Sequence, residues 1–247
     1  MIKIKNLADK AELYIYGLII DDTDASWIAR NEDGTVGYQY PTEIRQQLEA
    51  LKGRPLDVHI ASDGGDVAAG VAIANMLKSH DAPVTVYIDS WAASIASVIA
   101  FAGNKIVMPA NTFLMIHNPQ GGGFGEASWL RSIAEWLDKL RDMIANTYAE
   151  ANNTPVAEIQ ELMDKETWLT AQEAKDLFGD KIELVDSNEI KAVAQLRSGF
   201  DSAPEAVHKA VDANTNEDNT NADNTNNVIV EHILDVLKRS FSHEEKS

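Results

Sequence analysis

Residues 56–103 read LDVHIASDGGDVAAGVAIANMLKSHDAPVTVYIDSWAASIASVIAFAG, and the alternation within this stretch sets the fold class. Leu56–Ala61 is a short apolar run suited to a buried strand, the following SDGGD is a tight turn, and Val67–His80 carries its apolar residues at helical spacing. The pattern then repeats: Pro83–Asp89 is a second strand, SWAA a turn, and Ser94–Ala102 an apolar helix closed by Gly103. Strands alternating with helices of this length need crossover connections, which run right-handed and build a mainly parallel sheet. The class is α/β.

The flanking sequence extends this plan. Upstream, Leu13–Ile20 (LYIYGLII) is a buried first strand interrupted by Gly17, and Asp21–Tyr40 is polar and irregular with a turn at Asp33-Gly34. The segment PTEIRQQLEALKG places Ile44, Leu48 and Leu51 at helical spacing before Gly53. Downstream, Lys105–Met108 and Phe113–His117 are short strands around Pro109, followed by a glycine-rich loop, PQGGGFG. A long helix over roughly Glu126–Ala151 has Trp129, Ile133, Trp136, Leu137, Leu140 and Ile144 on one stripe. Thr154-Pro155 starts another helix, Thr170 and Glu173 form a capping box for a short helix ending at Gly179, and Lys181–Val185 is a closing strand. After that the composition changes. DANTNEDNTNADNTNN is a low-complexity polar tract that cannot bury enough apolar surface to fold. The folded domain is therefore expected over residues 1–197, a disordered linker over 198–227, and an amphipathic interaction helix over 228–247 with Val230, Ile233, Leu234, Leu237 and Phe241 on one face.

Composition removes several function classes. With no cysteine there is no disulfide framework, thiol nucleophile or thiolate metal site. A net charge of −18 repels phosphate backbones, so nucleic acid is not an expected partner. The start, MIKIKNLADKAELYIYGLII, lacks signal-peptide architecture, and nothing reaches the roughly 18 apolar residues of a membrane span. A cytoplasmic protein without a membrane partner is expected.

Ligands of open α/β sheets bind beyond the carboxyl ends of the strands, and three features lie at such ends. Gly64-Gly65 within SDGGD can present backbone N–H groups as an oxyanion hole does, although a plain βα turn accounts for them equally. There is no G-x-x-x-x-G-K-[ST] and no G-x-G-x-x-G to bind phosphates. Ser94, in AASIAS, opens an apolar helix where unpaired N–H groups favour developing negative charge. An N-cap serine has the same local sequence, and Ser90 or Ser97 could be argued in its place. His117 ends the strand FLMIH within reach of a neighbouring helix start. Of the six histidines, His208, His232 and His243 lie in the tail, His80 ends a helix, and His59 suits a structural role within its strand. His117 remains as the candidate base.

Taken in order, SDGG, a helix, AAS opening a second helix, MIHNP, TWLTAQEA and a final strand resemble the Clp protease proteolytic-subunit family. The resemblance covers about residues 12–187 and is greatest to the shorter phage-type members linked to head maturation. It implies a serine endopeptidase with the ββα spiral that Clp subunits share with crotonases, assembled as a homo-oligomeric ring around a chamber. It also implies Ser94 as nucleophile, His117 as base, and the N–H groups of Gly65 and Ile95 as oxyanion hole, with no metal and no cofactor. Polypeptides are the implied substrates, and capsid or scaffold proteins, or a Clp-type ATPase, the implied partners. Three positions depart from the family pattern. The family's aspartate is replaced by Glu166, two residues before Trp168, which leaves Asp164 as a rival acid; a glutamate can orient imidazole, as in other Ser-His-acid sites. Asp63 stands where the family has proline. Only about a dozen residues precede the first strand, so the loops that meet an ATPase are expected to be shortened. Two readings of other kinds compete: a crotonase-type acyl-CoA enzyme that uses the same turns without a nucleophile, and a non-proteolytic capsid-assembly component that works through its tail.

Overall fold

The computed structural model describes residues 5–6, 10–27 and 37–186; the expected linker and terminal helix, and the turn at Asp33-Gly34, lie outside the described residues. Nine strands form one sheet among the described residues. Its path runs β1 (Lys5–Asn6), β2 (Ala11–Ile19), β4 (Leu56–Gly65), β5 (Val84–Ala93), β6 (Lys105–Pro109) and β9 (Ile182–Val185). The pairings from β2 to β9 are all parallel. Each crossover carries a helix: α2 (Pro41–Ala50) before β4, α3 (Val67–Lys78) before β5, and α4 (Ile95–Phe101) before β6. The expected mainly parallel α/β architecture is present.

Side chains alternate across the strands as the sequence pattern requires. Leu56, Val58 and Ile60 of β4, Val84, Val86 and Ile88 of β5, and Ile106 and Met108 of β6 are all buried on the helix-covered face. Burying each such side chain is worth about 1.5–3 kcal/mol. α3 and α4 meet closely because of Gly70, where a Cβ would stand 2.2 Å from Cγ1 of Ile95.

Strand β5 changes partner along its length. Thr85–Tyr87 pair with β6, whereas Trp91–Ala93 pair with β7 (Phe113–Ile116). Between these segments the register against β4 steps from Ile60↔Ile88 to Ser62↔Ala92, so β5 accommodates two extra residues around Asp89 and Ser90. The bend sends the second half of β5 into a second layer, as the ββα spiral requires. There β7 pairs antiparallel with β8 (Thr167–Thr170), a strand the sequence pattern did not mark because it runs directly into the capping box of the next helix at Thr170.

The expected long helix is α5 (Ala127–Ala149), followed by α6 (Val156–Asp164) and α7 (Ala171–Phe178). The capping box on Thr170 and Glu173 is formed. Only the last turns of α5 enter the core, through Ile144, Ala145, Tyr148 and Ala149; Trp129 and Trp136 are 44% and 58% exposed. The stretch expected to be irregular, 21–40, holds a short helix, α1 (Asp22–Trp27), and a two-residue strand, β3 (Tyr38–Gln39), pairing with β2. α1 buries no residue, and Asp21 caps it by accepting from Asp24 N at 2.7 Å. No apolar stripe could have announced it.

Candidate active site

Strand β4 ends in two glycines that nothing larger could replace. Gly64 has φ 94°, and a Cβ there would lie 2.7 Å from Ser94 Cβ and 2.8 Å from Ala93 O. Gly65 has φ 141°, and a Cβ there would overlap Ile19 O at 1.9 Å. The close approach of Gly64 brings the strand end against the start of α4, with Ile95 N only 3.1 Å from the same point. Asp66 N donates to Ile19 O and Gly64 N to Ser62 Oγ, which itself bonds Gly17 O of β2. Ile95 is the first residue of α4, and its N–H has no intrahelical acceptor.

Ser94 joins β5 to α4 with φ 55° and ψ −130°, a region that a residue with a Cβ rarely occupies. It stands at the N-cap position of α4, yet its side chain makes no capping bond. Its Oγ lies 2.7 Å from Nε2 of His117. The cap reading of this serine therefore fails, and its competitors fall with it. Ser97 is fully buried with its hydroxyl on the carbonyls of Ser94 and Met115, and Ser90 is buried in the bend of β5.

His117 follows β7, whose pairing with β5 sets Ala93 opposite Met115; Ser94 and His117 thus leave adjacent strands side by side. The β7–β8 register ends at Ile116↔Thr167. One step further along the antiparallel pair, His117 faces Glu166. The Glu166 carboxylate stands 4.0 Å from His117 Nδ1, an ion-pair separation rather than a hydrogen bond. Burial holds the His117 pKa below the usual histidine value, and the charge of Glu166 partly offsets that shift. The imidazole is therefore neutral at neutral pH, as a base must be.

Asp164 is engaged elsewhere. Its Oδ1 accepts from Asn118 Nδ2 at 2.9 Å and from Arg141 Nη2 at 2.8 Å, and Arg141 Nε donates to Asn118 Oδ1 at 3.1 Å. These bonds hold its carboxyl below the usual aspartate range. The rival acid thus fastens α6 to α5 and to the loop after His117. Sequence reasoning missed Asn118, Arg141 and Tyr148, and it named Ser97 only as a rival nucleophile. The available signal was Tyr148, a tyrosine on the buried face of an amphipathic helix, whose hydroxyl needs a partner.

A narrow cavity of about 10 Å³, hardly room for one water, opens beside Ser94 and His117 and is lined by Val67, Ile95, Val98, Pro119, Ile144 and Tyr148. A larger concavity of about 590 Å³ lies on the sheet face opposite the helices, among Lys10, Asp57, His59, Tyr87, Lys105 and Glu183. It holds no serine and is remote from the Ser94–His117 pair. His59 is fixed there between Tyr14 and Tyr87, with ring centroids 4.8 and 5.0 Å away, and its Nδ1 lies 3.0 Å from the buried Asp89 carboxylate. His80 bonds Arg54 O at 2.8 Å. Both carry the structural roles their positions suggested.

Comparison with known proteins gives the family of the chain. The Clp protease family model matches residues 34–182. The chain belongs to the Clp protease family. Among its relatives, the ATP-dependent Clp protease proteolytic subunit 1 of Chlamydia pneumoniae is 37% identical, over 51% of this chain and 68% of its own length. The corresponding subunit of Oltmannsiellopsis viridis is 34% identical, over 51% of this chain and 65% of its own. The chain thus covers about two thirds of the length of each of these relatives. A mutant form of ClpP1 from Listeria monocytogenes superposes with a TM-score of 0.57, at 24% identity, over 72% of this chain and 92% of its own, which establishes the shared fold. Among the described residues, no helix of this Clp-family chain is long and apolar enough to cross a membrane.

Proposed function

We propose that this Clp-family chain is a serine endopeptidase with Ser94 as nucleophile, His117 as general base and Glu166 as the acid that orients and stabilises the imidazolium. The observation that carries the reading is the 2.7 Å contact between Ser94 Oγ and His117 Nε2 at a serine that does not cap its helix. His117 takes the hydroxyl proton as Oγ attacks a peptide carbonyl, then gives it to the leaving amine; water releases the acyl-enzyme by the same route in reverse. The N–H groups of Gly65 and Ile95 receive the oxyanion, and losing one such donor typically costs about 10²–10³ in turnover.

The exposed tryptophans of α5 support assembly into a ring-like homo-oligomer, because large apolar side chains at such exposure are characteristic of interfaces. The relatives are named as subunits of ATP-dependent proteases, and an ATPase that delivers polypeptide is the corresponding partner here. A crotonase-type acyl-CoA enzyme has no use for an activated serine. A fluorophosphonate probe decides: intact and peptide mass spectrometry should find the adduct on Ser94, and Ser94→Ala should remove it. Absence of labelling from the wild-type assembly would refute the peptidase reading.

A further inference from the structure

Ser97 and Tyr148 take no part in acyl transfer, yet their hydroxyls meet directly beneath it. Ser97 Oγ lies 2.5 Å from Ser94 O, 3.1 Å from Met115 O and 2.7 Å from the Tyr148 hydroxyl oxygen. A hydroxyl has one proton, and a carbonyl can only accept. Ser97 therefore donates to the carbonyls, and Tyr148 donates to Ser97. The two carbonyls belong to the nucleophile's own residue and to the residue two before the base. Ser94 N donates to the same Met115 carbonyl at 3.0 Å, and Ser97 N to Ser94 O at 3.0 Å.

A residue with a Cβ stays at φ 55°, ψ −130° only where its surroundings over-determine it. Here the surroundings are these hydrogen bonds, and one hydroxyl ties the strained turn to the strand that carries His117. We infer that Tyr148 and Ser97 form a positioning pair, a directed hydroxyl relay that locks the Ser94 turn in register with the His117 strand and so sets the Oγ–Nε2 contact; this rests on the peptidase reading above. Packing alone does not require the hydroxyl. The Tyr148 ring is 1% exposed and stands edge-on to Phe101, with centroids 5.1 Å apart, a contact phenylalanine would keep.

The test compares Ser97→Ala, Tyr148→Phe and the double variant in the full-length protein. It measures thermal midpoint, the rate at which a fluorophosphonate labels Ser94, and kcat and KM on a fluorogenic peptide. Ser97→Ala strands the Tyr148 hydroxyl in the core and leaves Ser94 O with only the backbone N–H of residue 97, so midpoint and labelling rate both fall. Tyr148→Phe leaves the donation from Ser97 in place and has the smaller effect on both. In the double variant no hydroxyl is stranded, so the midpoint recovers above that of Ser97→Ala, while labelling and kcat stay down by about tenfold or more with KM little changed. Divergence of stability from rate is the signature of positioning. If Ser97→Ala does not fold, the double variant and Tyr148→Phe carry the comparison. A double variant that labels and turns over at the wild-type rate overturns the inference while the peptidase reading stands. A wild-type protein never labelled at Ser94 overturns both.

Discussion

Replacing Glu166 by glutamine removes one charge 4.0 Å from His117 Nδ1. Two unit charges at that separation interact by about 4 kcal/mol at an effective dielectric constant near 20. The two side chains are 12% and 21% exposed, so solvent screening brings the loss of imidazolium stabilisation to about 2–4 kcal/mol. At 1.36 kcal/mol per factor of ten, Glu166→Gln should slow kcat by about 30-fold to 1,000-fold. Asp164→Asn should differ sharply. Its carboxylate is 52% exposed and paired with Arg141 rather than with the imidazole, so only a small loss of turnover is expected. The pH profile gives a second signature. Activity needs neutral His117, so it falls as pH drops through the imidazole pKa, which burial places below 6.5. The Glu166 charge raises that pKa; removing it moves the acid limb to lower pH even as the plateau falls. The assay is kcat/KM on a fluorogenic peptide between about pH 5 and 8, where an imidazole titrates, with the fluorophosphonate labelling rate as a substrate-independent check. A Glu166→Gln plateau close to wild type, or a larger loss in Asp164→Asn, would refute the assignment of the acid.

Further consequences can be measured directly. Ser94→Ala should be inactive yet folded, and Ser94→Gly should be more stable than Ser94→Ala by about 1 kcal/mol in urea unfolding, because glycine relieves the positive φ; the opposite order would show that the turn is unstrained. Gly64→Ala pushes a Cβ to within 2.7 Å of Ser94 Cβ, so it should abolish labelling and destabilise the fold by about 1–3 kcal/mol; normal labelling would mean that the β4 end does not constrain the nucleophile. Trp136→Glu places a charge on the exposed stripe of α5 and should dissociate the assembly in sedimentation, whereas a monomeric wild-type protein would remove the ring from the proposal. Truncation after residue 197 should leave Ser94 labelling unchanged, since every proposed site residue lies between Gly64 and Glu166, and loss of labelling would place part of the site in the tail.

Local chemistry made much of this protein legible from its residues. Two consecutive strand–turn–helix units in 56–103 could only pack as a parallel layer, and the order of SDGG, AAS and MIHNP pointed to Ser94 and His117 through their family resemblance. Short elements escaped. β8 runs straight into the cap of α7 at Thr170, and α1 buries nothing, so neither leaves a periodic trace of its own. Gly64 and Gly65 were legible as a turn, but their necessity is not local: it comes from Ser94 packing on one side and the Ile19 carbonyl on the other.

The sequence by itself determined the α/β class, the family, and a short list of groups able to do acid–base and nucleophilic chemistry, because those depend on residue type and order along the chain. What each of those groups meets in the folded chain depended on the tertiary structure. Ser90, Ser94 and Ser97 are separated by burial and by the partners of their hydroxyls, which depend on the bend in β5. Glu166 and Asp164 are separated by the antiparallel register of β7 and β8, which carries Glu166 to His117 and leaves Asp164 to Arg141 and Asn118. Asp164 is the last residue of α6 and Glu166 stands one step before β8, so only pairing between segments some 50 residues apart in sequence could place Glu166 beside the imidazole.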